Sequence, residues 1–174
     1  MRIVVTGPAE TATPLVAAAL AAQLRTRFLD SAELYPARVR AGGAAPGQIW
    51  LEALALAFTR ERGLVASSGT LTRARRDLIR ARIPGVVFVE LVVDESAVPP
   101  RRSRWRRAKT VERPVIEPLA ADEPGVRVAD DADLERIVDR IAQLLAGPAG
   151  GVSGSVAVDA PGLASEGAPA QSLR

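Results

Sequence analysis

Two kinds of segment alternate along this chain, and that alternation restricts the fold more than any other feature. "RIVVT" (Arg2–Thr6), "RFLD", "LVASS", "GVVFVELVVD" and "VRVA" are short, rich in β-branched residues and mostly apolar throughout. Between them lie "PLVAAALAAQLR", "GQIWLEALALAFTRERG", "TLTRARRDLIRAR" and "DADLERIVDRIAQLLAG", whose apolar residues recur every three or four positions. A strand that is apolar on both faces must be covered on both faces. Strands of that kind joined by helices predict a three-layer α/β domain, with a mostly parallel sheet flanked by helices.

The helix ends carry their own signals. Pro14 suits the first turn of the first helix, with Thr13 before it as the expected N-cap. Gly63 and the Pro84-Gly85 pair end the second and third helices. The last helix starts at Asp131 or Asp133, presents Leu134, Ile137, Val138, Ile141, Leu144 and Leu145 as one stripe, and stops at Gly147. Residues 1–146 therefore read as one domain. Residues 147–174 are rich in Gly, Ala, Pro and Ser without periodicity and read as a disordered tail.

Composition removes several kinds of chemistry. The 174 residues include no Cys and no His, so disulfides, thiolate catalysis and the commonest zinc ligands are excluded, and acid–base work falls to Asp or Glu. No cluster of metal ligands is identified. No apolar run reaches the ~20 residues of a membrane span, and the N-terminus places a strand where a signal peptide needs its apolar segment, which predicts a cytoplasmic protein without membrane contact. The net charge is +3, but Arg101–Lys109 holds six basic residues and no acidic one, so the rest of the chain sums to −3. The basic character is a local patch. With aromatics at 3%, stacking surfaces for nucleic acid are scarce.

"RIVVTGPAETATPLVAAAL" has the outline of a strand, a phosphate loop and a helix. The frame G-x-x-x-x-G-K-[ST] uses glycines so that backbone amides wrap the phosphates, Lys to neutralise charge, and a hydroxyl to hold magnesium. Set on Gly7, the loop runs Gly7, Pro8, Ala9, Glu10, Thr11, Ala12, Thr13 and Pro14. Ala12 replaces the second glycine, Thr13 the lysine and Pro14 the hydroxyl residue. Glu10 adds a negative charge, and Pro8 and Pro14 each remove an amide donor.

From Gly7 to Pro36, ending "FLDSAELYP", the chain resembles the N-terminal third of the bacterial gluconokinases, small P-loop kinases related to shikimate kinase. That family has G-V-S-G-S-G-K-S, a helix, then F-L-D-G-D-x-L-H-P in the same register. "WLEALA" (Trp50–Ala55), "LVASSGTLTRARRDLIR" and "VIEPLAADEPGVRV" resemble further family blocks in the same order, so the resemblance covers 1–146. It implies a P-loop kinase fold, with ATP and magnesium as cofactors if the family activity survives. Asp30 matches the Asp implied to act near magnesium and the sugar hydroxyl, a vestigial catalytic candidate. From the residues alone it reads equally as a cap for the turn starting at Ser31. The second family Asp is Ala32, the family His is Tyr35, and the Lys of C-S-A-L-K is Thr72. Arg76 and Asp77 are retained, though Asp77 stands four residues after Arg73 and can pair with it on a helix. Arg76 is thus a substrate candidate, and Arg104, Arg106, Arg107 and Lys109 are candidates for a phosphate-closing lid. The Arg101–Lys109 block also reads as a nucleic-acid patch around Trp105, which the acidic remainder disfavours, or as a solvated loop. Ser67 and Ser68 lack a nearby base and make poor nucleophiles.

The departures fall on phosphate-binding and substrate positions, while the core-forming segments are intact. The sequence therefore reads as a degenerate gluconokinase-like protein with little or no phosphotransferase activity. Its expected role is binding a small anionic ligand or a partner: a second copy of itself or an intact kinase homologue. An active kinase with an altered phosphate site, and a nucleic-acid or anion-binding module using the Arg block, are the alternatives.

Overall fold

The computed structural model describes residues 1–8, 11–34, 47–93, 117–130, 133–147 and 157–158. The strands are β1 (Arg2–Thr6), β2 (Arg27–Asp30), β3 (Leu64–Ser68), β4 (Val86–Val93), β5 (Gly125–Asp130) and β6 (Ala157–Val158). The helices are α1 (Thr13–Gln23), α2 (Gly47–Arg60), α3 (Arg73–Arg82) and α4 (Leu134–Ala146), with a 3-10 turn at Ser31–Leu34. One sheet runs β2-β3-β1-β4-β5-β6, and every pairing in it is parallel. This is the α/β architecture that the alternation of segments implies.

Successive strand residues point to opposite faces, and each face builds its own core. Ile3, Val5, Val65, Val89 and Leu91 pack with Val16, Ala17 and Leu20 of α1 and Ile137, Val138 and Ile141 of α4. Val4, Ala66, Val86 and Phe88 pack on the other side with Trp50, Leu54 and Phe58 of α2 and Ile79 of α3. Each fully buried aliphatic or aromatic side chain of this kind contributes about 2 kcal/mol of transfer free energy. Among the described residues no helix is long and apolar enough to cross a membrane.

Two helix boundaries differ from the sequence expectation. The N-cap of α1 is Ala12, and Thr13 is already helical, its hydroxyl engaged with Thr11 Oγ1 at 2.7 Å. At the other end Arg25 takes φ 51°, while Arg25 N donates to Ala22 O and Thr26 N to Ala21 O. That is the paired-carbonyl stop usually made with glycine, here made by a residue with a side chain. The α4 start is settled on Asp133, whose carboxylate accepts from Arg136 N. Within 147–174, Ala157–Val158 depart from the expected disorder by pairing with Val126 and Arg127. They belong to "SVAV", a β-branched stretch in a tail of small residues, and β5 offers it an open edge. From 148 on, the other tail residues lie outside the described ones.

Gly125 opens β5 against Phe88, where an added Cβ would stand 2.6 Å from the Phe88 carbonyl oxygen. Gly125→Ala is expected to cost about 2 kcal/mol in denaturant unfolding, since backbone must shift to admit it. Gly69→Ala, with nothing within 4 Å, should stay within about 0.5 kcal/mol of the parent.

Candidate functional site

The C-terminal ends of β1, β2 and β3 open onto one cavity of about 360 Å³, the edge where open parallel sheets place their ligands. Gly7, Pro8, Thr11, Thr13 and Pro14 form one wall, Asp30 to Ala32 and Trp50 a second, and Ser67 to Leu71 a third, with Arg75 of α3 at the rim. Reciprocal bonds lock the loops after β1 and β3 together: Thr6 Oγ1 donates to Gly69 O at 2.7 Å, and Thr70 Oγ1 to Gly7 O at 3.3 Å. Trp50 Nε1 donates to Ser31 O at 3.0 Å and pins the 3-10 turn against α2.

In the loop after β1, the hydroxyls of the described residues bond within the loop. Thr11 Oγ1 donates to Pro8 O at 2.6 Å and lies 2.7 Å from Thr13 Oγ1. Both hydroxyls crowd Gly7, where an added Cβ would stand 2.6 Å from one and 2.9 Å from the other. The Ala12 amide, at the start of α1, donates at 3.1 Å to the Asp130 carboxylate from the end of β5. A carboxylate there complements the positive end of the helix dipole, worth roughly 0.3–1 kcal/mol. Pro14 contributes neither amide proton nor side-chain oxygen. Magnesium held with nucleotide phosphates needs oxygen donors, typically one or two carboxylates and a hydroxyl. Among the described residues, Asp30 is the only acidic side chain lining the cavity, and no group of three possible metal-ligating side chains occurs. The described residues of this loop do not fit an ATP–magnesium complex. Ala9 and Glu10 lie outside the described residues.

Asp30 takes the capping position that one of its two sequence readings assigns it. Its Oδ1 accepts from Ala32 N at 3.0 Å, capping the 3-10 turn, and from Ser67 Oγ at 3.1 Å, while the residue also lines the cavity. The Ser67 hydroxyl is thereby held as a donor to a carboxylate, an arrangement that orients the loop after β3.

Arg76 requires a correction. It is 1% exposed, and its five N–H donors are all taken: Nε and Nη2 by Glu123, Nη1 by Leu71 O and Glu117 O, and Nη2 again by Pro118 O. No donor remains for a substrate, and Arg76 does not line the cavity. It fastens α3 to the turn at 117–123 instead. The Glu123 carboxylate also accepts from Ala120 N and from Arg80 Nη2. Burial opposes its charge, but hydrogen bonds from Arg76, Ala120 and Arg80 prevail and hold its pKa down at about 2, while Arg76 is pushed up chiefly by its bond to Glu123. Arg73 pairs with Asp122 and, at 4.0 Å, with Asp77, so the expected i,i+4 contact is present. Arg104, Arg106, Arg107, Lys109 and Tyr35 fall outside the described residues.

Arg75 was not reached by sequence motif. It is exposed, lines the cavity and, among the described residues, makes no ion pair and no side-chain hydrogen bond. One signal was available: no acidic residue stands three or four positions from it along α3, whereas Asp77 serves Arg73 and Arg80.

The strand order, the loop between β1 and α1 and the position of the cavity define a P-loop kinase-like α/β fold. Solved structures agree. A sugar kinase from Janibacter sp. HTCC2649 superposes with a TM-score of 0.63 at 19% identity, covering 83% of this chain and 93% of that one. A gluconokinase from Sinorhizobium meliloti 1021 gives 0.63 at 25% identity, covering 82% and 90%. Shikimate kinase from Aquifex aeolicus vf5 gives 0.52 at 17%, covering 83% and 96%. No protein-family model matches the sequence, and no curated protein sequence matches it significantly. The fold is that of the small P-loop kinases that include gluconokinase and shikimate kinase.

Removing the Glu123 charge should expose the value of the buried pair. Glu123→Gln leaves Arg76 buried without its counter-ion, and about 3 kcal/mol of stability should be lost near neutral pH. The Glu123 carboxylate has a folded pKa of about 2, below its ordinary 4.5. Its stabilisation is therefore full above pH 4.5 and is lost as pH falls through 2. Urea unfolding of both proteins across that window should show the gap closing on the acid side.

Proposed function

We propose that this chain is a gluconokinase-like protein that does not transfer phosphate from ATP and instead binds a small polar ligand in the cavity beside its altered loop. One observation carries this reading: the loop at Gly7–Pro14 turns its hydroxyls onto itself and gives its helix-start amide to Asp130. Phosphoryl transfer is almost wholly positioning and electrostatic stabilisation of the transferred group, so losing amides, lysine and hydroxyl together removes most of what such a loop supplies. The cavity itself is formed, is bounded by loops that are tied to one another, and has the size of a small-molecule site. The likeness to a gluconokinase and a sugar kinase makes a hydroxylated small molecule the first ligand class to try.

Purified protein with ATP, magnesium and gluconate should give no turnover above the uncatalysed background in a coupled ADP-release assay. Turnover on the order of 1 s⁻¹ or faster, the ordinary range for such enzymes, overturns the proposal.

A further inference from the structure

The cavity has lost its expected anion site and gained a cation elsewhere. Arg75 is the only cationic side chain lining it among the described residues. Three other arginines of α3 are committed: Arg73 to Asp122, Arg76 to Glu123, and Arg80 to Asp77 and Glu123. Arg75 has no such partner among the described residues. Its guanidinium lies beside the start of α2, where a Cβ on Gly47 would come within 3.2 Å of Nη2. Asp30 and the hydroxyl-bearing residues Ser68 and Thr70 line the same cavity and suit ligand hydroxyl groups.

We infer that Arg75 is the anion-reading residue of this cavity, so that its ligand is a small hydroxylated molecule with one oxyanion directed at α3 and away from the loop at Gly7–Pro14. This rests on the reading of the cavity as a binding site. The charge logic is one of exclusion and attraction together. Asp130 and the self-bonded threonines disfavour an anion at the start of α1, and the Arg75 guanidinium, without an ion-pair partner among the described residues and able to grip a carboxylate or phosphate with two parallel bonds, favours it at α3. Carboxylate and phosphate share this chemistry, and ligands of both kinds separate the two sources.

The experiment is a calorimetric titration of the full chain with gluconate, glucose 6-phosphate and sorbitol, the last a neutral polyol of the same carbon length. Arg75→Gln and Arg75→Lys are compared with the parent. Arg82→Gln is the control, because Arg82 is exposed on the same helix but borders only the neighbouring groove between α2 and α3. The expected result is binding of at least one of the two anions, none of sorbitol, at least tenfold weaker binding by Arg75→Gln, an intermediate value for Arg75→Lys and no change for Arg82→Gln. The anion that binds identifies the oxyanion. Equal binding by the parent and Arg75→Gln, or sorbitol binding as tightly as gluconate, overturns the role of Arg75 while leaving the cavity a binding site. Failure of all three compounds to bind the parent overturns the binding-site reading and this inference with it.

Discussion

The buried pair of Arg76 and Glu123 fixes more of this structure than any other contact. Both side chains are within 2% of full burial, and the guanidinium spends every donor on Glu123 and three backbone carbonyls. A pair of this kind adds little net stability over an apolar substitute, because desolvation offsets the attraction, but it admits one geometry only. Here that geometry sets the rotation of α3 about its axis. With Arg76 turned inward, the preceding residue is carried about 100° round the helix, which brings Arg75 to the cavity rim. Arg80 extends the clamp to Glu123 and lies 4.8 Å from the Phe88 ring centroid, joining the same network to the core under β4.

The opposite wall of the cavity follows another rule. A loop that is to hold a phosphate must leave its amides unsatisfied until the ligand arrives. This one does the reverse: its threonines bond to each other and to Pro8 O, and a carboxylate from β5 takes the Ala12 amide. Among the described residues, the hydroxyls of this loop are engaged within it. The sheet, the two cores and the ties between the β1 and β3 loops are nonetheless in place, and they bound a cavity at the C-terminal edge of the sheet.

How much of this the sequence carries depends on the range of the interaction. Strand and helix identity rest on local periodicity, so the parallel sheet and both cores follow from runs such as Val86–Val93 and Leu134–Leu145. The departure from the phosphate-loop pattern is also local, since Ala12, Thr13 and Pro14 carry it by residue type. Contacts between distant positions are different. Asp130 lies 118 residues from Ala12 and Glu123 lies 47 from Arg76, and no spacing pattern links either pair. Arg76 thus reads as a substrate residue from its motif and proves to be a structural clamp. Arg75 sits in the same motif unnoticed, because a pattern match weighs residues that agree with it and this one does not. Side-chain direction on a helix is the missing quantity, and only the packed structure supplies it.

The central claim is that the loop at Gly7–Pro14 does not hold nucleotide phosphates, and direct binding of ATP–magnesium tests it without reference to any substrate. In isothermal titration calorimetry of the full chain at low salt, the account predicts no saturable heat up to millimolar ATP–magnesium. A dissociation constant in the micromolar range, corresponding to roughly −8 kcal/mol or tighter, would contradict it.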